Sequence, residues 1–140
     1  MPTILERTSF TIGETAKLQH KISRDEIVQF ANLTGDKNPV HLDRKYAQTT
    51  IFKDCIAHGM FVVSLISKAL GMQLPGPGAI YLNQSVNFLK PVYVGDILTV
   101  EVEITEWNSS NGRLTLSTSV YKQDHTRALT GEAKWSWLHF

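Results

Sequence analysis

Two groups able to move protons lie close together in Leu33-Thr34-Gly35-Asp36-Lys37-Asn38-Pro39-Val40-His41. A neutral imidazole accepts a proton near neutral pH, and a nearby carboxylate orients a water or relays its proton. On a continuous helix Asp36 and His41 would not face each other. Gly35 and the Asn38-Pro39 turn let the chain double back, so that both side chains converge on one water. Asn38, with both donor and acceptor, is a candidate to hold that water or a substrate carbonyl. The same residue types also read as ordinary turn chemistry, because Asp and Asn bond their own backbone.

A second candidate is His58-Gly59-Met60, at the start of an apolar segment. Amides at a helix N-terminus lack internal partners and carry partial positive charge. Glycine there lets a ligand oxygen approach the backbone closely. An inward-facing Gly59 N–H would stabilise negative charge on a reacting carbonyl oxygen. The plain alternative is a glycine that permits a tight turn into the helix. His20, His125 and His139 lie in strand or terminal contexts and read as surface or structural histidines.

The elements that must position these groups are legible in outline. Ala16, Leu18, His20 and Ile22 alternate with polar residues, which predicts a strand. Ser23-Arg24-Asp25-Glu26 matches a capping box, and Ile27, Phe30 and Ala31 follow at helical spacing, so a short helix runs to about Leu33. Gly35 suits a left-handed stop, and Asp43 suits the cap of a further short turn through Ala47. His58 to Leu70 is apolar on nearly every face, which predicts a buried helix that Gly71 can end. Beyond Leu74-Pro75-Gly76-Pro77-Gly78 the pattern changes to strands over 79–88, 97–107, 113–123 and 126–140. Asn111-Gly112 is a hairpin signal. Strands in hairpin order favour an antiparallel sheet, and one buried helix with such a sheet predicts an α+β fold, the sheet curled around the helix.

The 140 residues suit one domain, and a hydrophobic fraction of 42% against 19% charged predicts a packed interior. A net charge of +1 without any basic run argues against nucleic acid. One cysteine, Cys55, leaves no internal disulfide and no paired-cysteine zinc site. Glu6 and Arg7 interrupt the place where a signal peptide needs an apolar run. The segment from Met60 to Ile66 is too short to span a bilayer. A cytoplasmic protein is expected, with a processed organellar protein as the alternative. No His/Cys cluster has metal-ligand spacing, so neither metal nor other cofactor is expected.

The residues from Phe30 to Ala47, FANLTGDKNPVHLDRKYA, resemble the signature of the (R)-specific 2-enoyl-CoA hydratases of the MaoC-like group. The likeness continues through AHGMFVVSLISKALG, LPGPGAIYLNQSVNFLKPVYVGD and the final TGEA, covering nearly the whole chain. The resemblance implies a single hot-dog domain, a long helix wrapped by a curved antiparallel sheet and usually paired as a homodimer. It implies reversible addition of water to a 2-enoyl thioester carried by coenzyme A or acyl-carrier protein. Its catalytic pair falls on Asp36 and His41, its asparagine on Asn38, its carbonyl-polarising glycine on Gly59 and a serine of the helix on Ser67. Cys55 departs from the group, where many members have proline. Leu65 and Leu70 are candidates to face an acyl pocket, with core packing as the alternative. Arg44, Lys45 and Lys90 are candidate cations for carrier phosphates. A carrier-protein dehydratase, a hot-dog thioesterase and a non-catalytic binding module are the competing functions.

Overall fold

The computed structural model describes Arg7 and residues 9–138. His139 lies outside the described residues. Strand β1 spans Thr15–Lys21, followed by helices α1 (Arg24–Thr34), α2 (Pro39–Leu42), α3 (Arg44–Gln48) and α4 (Gly59–Met72). Strands β2 (Ala79–Phe88), β3 (Ile97–Asn108), β4 (Arg113–Tyr121) and β5 (Arg127–Trp137) complete the chain. All pairings are antiparallel and the sheet order is β1-β3-β4-β5-β2.

The local signals do what their chemistry dictates. Ser23 caps α1 by accepting the Glu26 amide proton, while the Glu26 side chain accepts from the Ser23 amide. Gly35 closes α1 with φ 82°, a conformation that favours glycine. Asp43 caps α3 through the Tyr46 amide. The hairpin order holds for β3, β4 and β5. It does not hold for β2, which crosses to the far edge and pairs with β5.

Helix α4 lies against β1, β2, β3 and β4. Ile66, Ala69 and Leu70 on α4 are fully buried among Leu98, Val100, Leu116 and Ala133 of the sheet. Burying that apolar surface is the main force holding helix to sheet. The result is the α+β hot-dog arrangement that the resemblance implies.

Gly71 does not end α4, which runs on to Met72. Gly71 keeps a helical conformation beside Trp135, and the chain turns only at Gly76, whose N–H donates to the Leu70 carbonyl at 2.9 Å. Pro75 then blocks further helix, having no N–H to give.

The sheet has one point of very close backbone approach. A Cβ on Gly131 of β5 would stand 1.9 Å from the Ser85 carbonyl oxygen of β2. Main chain cannot yield there without breaking the β2–β5 ladder. Gly131→Ala is therefore expected to destabilise the fold by about 3 kcal/mol or more, on the scale of severe core substitutions, read as a lowered urea midpoint.

Candidate active site

The short helix α2 sets His41. Asn38 caps it by accepting the Val40 amide proton at 3.3 Å, and Pro39 supplies the preset φ of a first helical residue. From α1, the Arg24 guanidinium donates to the carbonyls of His41 (3.3 Å) and Leu42 (2.6 Å), where a cation meets the negative end of α2. Across the site, the Ile56 amide donates to the Val40 carbonyl and Ala57 donates to Val92. The segment before α4 is thus pinned between α2 and the chain preceding β3.

These braces fix the imidazole's tautomer. His41 Nδ1 lies 2.8 Å from the Ile56 carbonyl oxygen, which only accepts, so Nδ1 is the donor. In the neutral ring Nε2 is then the bare, basic nitrogen. Burial holds the His41 pKa below the ordinary histidine value and the nearby His58 lowers it further. The Ile56 hydrogen bond and the Asp36 charge oppose this without reversing it.

Asp36 sits in the turn after Gly35, where its Oδ1 accepts the Asn38 amide and its own amide donates to Thr34 Oγ1. A donor atom from each of Asp36, His41 and His58 lies within 4.8 Å of the other two. A metal site requires ligand atoms to meet about 2 Å from one point. Here the His58 Nε2 proton is committed to the Asp36 carbonyl at 2.9 Å, and the two imidazoles stack at 3.9 Å and 27°. Each ring already gives one N–H to a carbonyl oxygen and the two planes are stacked, so this is a poor ligand set.

Asp36, His41 and Gly59 all line one cavity of about 540 Å³. Ile56, Val62, Phe88, Leu89, Val92 and Leu129 give it a mostly apolar wall, the usual character of a small-molecule site. Gly59 opens α4, and no side chain caps that helix. The first amides of α4 to find an acceptor are those of Phe61 and Val62, both donating to the His58 carbonyl, and the Gly59 amide has no partner in the chain among the described residues. A Cβ at Gly59 would stand 2.6 Å from the Phe88 ring, so any other residue there would have to displace that ring.

The other candidates fall elsewhere. Asn38 does not line the cavity, because its side-chain oxygen is used in capping α2. Leu65 and Leu70 belong to the core and Ser67 is half-buried on α4; none of the three lines the cavity. Lys90 does line it, whereas Arg44 is drawn to Asp54 at 3.7 Å and Lys45 lies off the wall. His20 pairs with Glu26 at 2.6 Å, and His125 occupies an exposed turn. Cys55 is buried in the segment before α4, where its amide donates to the Asp54 side chain at 2.7 Å, a bond proline could not make. Sequence reasoning passed over the contacts of His58, since nothing local in His58-Gly59-Met60 tells which distant groups its ring meets.

Residues 8–126 match the MaoC like domain. The chain belongs to the MaoC-like family. It is 46% identical to an (R)-specific enoyl-CoA hydratase of Aeromonas caviae over 89% of this chain and 93% of that one. It is 43% identical to a 3-hydroxybutyryl-CoA dehydratase of Methylorubrum extorquens, covering 87% and 77% of the two chains. The solved (R)-hydratase from A. caviae involved in PHA biosynthesis superposes with a TM-score of 0.88 at 44% identity, over 93% of this chain and 98% of that one. Among the described residues no helix is long and apolar enough to cross a membrane.

The depressed His41 pKa has a definite sign. Its folded value lies below the unfolded value of about 6.5, so the folded state binds this proton less readily. The associated stability is present above that unfolded value and is lost as pH falls through the folded one. An NMR titration is expected to give a His41 midpoint below about 6.5; a higher midpoint would contradict the environment described.

Proposed function

We propose that this protein is an (R)-specific enoyl-CoA hydratase, which adds water to trans-2-enoyl thioesters to give (R)-3-hydroxyacyl thioesters and catalyses the reverse dehydration. The observation that carries this reading is the meeting of Asp36 and His41 in one apolar cavity with the unpartnered Gly59 amide. The A. caviae and M. extorquens relatives, named for the two directions of such a reaction, support it.

In this proposal one water lies between the Asp36 carboxylate and His41 Nε2, in the cavity that both residues line. His41 Nε2 accepts one of its protons while its oxygen bonds C3 of the enoyl group. Asp36 accepts a hydrogen bond from the other O–H and orients the water. The C2=C3 electron pair shifts to make an enolate, whose negative oxygen faces the Gly59 N–H and the positive end of α4. The protonated His41 gives that proton up to C2, which regenerates the thioester carbonyl and the neutral ring. The acyl chain runs along the apolar wall, and Lys90 offers a cation to the phosphates of the carrier.

Crotonyl-CoA separates this activity from the competing ones. Hydration removes the enoyl absorbance without releasing thiol; hydrolysis releases thiol; a binding module does neither. Asp36→Asn and His41→Gln are each expected to lower turnover by about 10²–10⁴. A folded variant with near-normal hydration would remove that residue from the mechanism.

The protein is also proposed to act as a homodimer and in the cytoplasm. Strand β2 is an edge, and Ile80 and Leu82 on it are 50% and 45% exposed. An apolar strand edge of that length is a pairing surface, and a second copy covers it symmetrically. Light scattering at micromolar concentration is expected to give twice the monomer mass; a monodisperse monomer would contradict this.

A further inference from the structure

His58 is 2% exposed and occupies the N-cap position of α4 without capping it. An N-cap side chain ordinarily accepts a helix amide proton. The His58 ring turns away instead. Its Nε2–H donates to the main-chain carbonyl of Asp36, far back in sequence, at 2.9 Å. One ring face stacks on His41, and Phe30 packs against it at 4.8 Å between centroids. Its Nδ1 is buried with no partner among the described residues. A ring that served only to fill space would be better made of carbon, because an unmet buried nitrogen is unfavourable. His58 is also joined directly to Gly59, so one residue touches the carboxylate's turn, the imidazole and the peptide that offers the amide.

We infer that His58 is a positioning residue, whose Nε2–H holds the Asp36 turn and whose ring backs His41, setting both against the Gly59 amide. This rests on the hydratase reading. The charged and titratable groups around the pair are Asp36, His58, Lys90 on the cavity wall and, behind the His41 carbonyl, Arg24. Loss of the His58 ring opens one face of His41 to water, so the His41 titration moves toward the ordinary histidine value. Loss of the Nε2–H frees the Asp36 turn, and the two-point grip on water loosens.

The test compares wild type with His58→Ala, His58→Gln and His58→Phe on crotonyl-CoA. Gln retains an amide N–H at the reach of Nε2 without a ring; Phe retains a ring without a donor. His58→Ala is expected to lower kcat about 10²-fold, the scale of a misplaced reacting group, with KM nearly unchanged. The Gln and Phe variants should each recover part of that loss. The acid limb of the kcat profile and the His41 NMR midpoint should both rise in the Ala and Gln variants and rise less in Phe. If His58→Ala does not fold, the larger rise of the His41 midpoint in Gln than in Phe, each with a lowered kcat, carries the same test. A folded variant with wild-type kcat, a loss confined to KM, or an unmoved His41 midpoint would overturn the assignment. Wild type that fails to hydrate crotonyl-CoA would instead overturn the underlying function, so the two failures are distinct.

Discussion

The site depends on the hydrogen bond from His41 Nδ1 to the Ile56 carbonyl. That bond decides which ring nitrogen is bare and where it points. It works only because Ile56 is immobile: its amide is tied to Val40, it bridges to Tyr93, and the next amide is tied to Val92. A histidine on a helix of only four residues would otherwise wander, since so short a helix has little stability of its own. Arg24 and the Asn38 cap supply from outside what α2 lacks within.

The fold supplies the rest by burial. Helix α4 is held along its length by the sheet, so its first turn is a fixed platform for the Gly59 amide. The carboxylate and imidazole belong to a separate stretch of chain, tied to that platform by the Ile56–Val40 main-chain bond and by the His41 and His58 side chains. Asp96 shows how the opposite wall is held. Its carboxylate accepts from the Tyr93 amide, the Gln123 side chain and the Lys122 ammonium, which keeps its pKa low despite burial and secures the loop carrying Val92.

Much of this was legible in the sequence where the physics is local. The Ser23–Glu26 box, the Gly35 stop and the Asp43 cap depend on residues within a few positions of each other. The strands could be placed because their outward and inward faces alternate. Gly71 misled because a glycine in an apolar helix is as compatible with close packing as with termination. The place of β2 at the far edge was hidden because hairpin signals report neighbours in sequence, and β2 pairs across the sheet. At the site, the convergence of Asp36, His41 and Gly59 followed from turn chemistry and the family signature. The role of Asn38 in capping α2 through the Val40 amide is a local one that its place before Pro39 announces. The contacts of His58 were illegible because they join residues that only the folded chain brings together.

The uncapped start of α4 has a wider consequence. Most helices settle their leading amides with a Ser, Thr, Asp or Asn side chain, and are firmer for it. This one leaves them open toward a greasy hollow, and the resting protein forgoes that reinforcement. The missing anchor is then whatever oxygen-bearing guest arrives. An oxygen held there accordingly adds to the helix the reinforcement that its own side chains do not give.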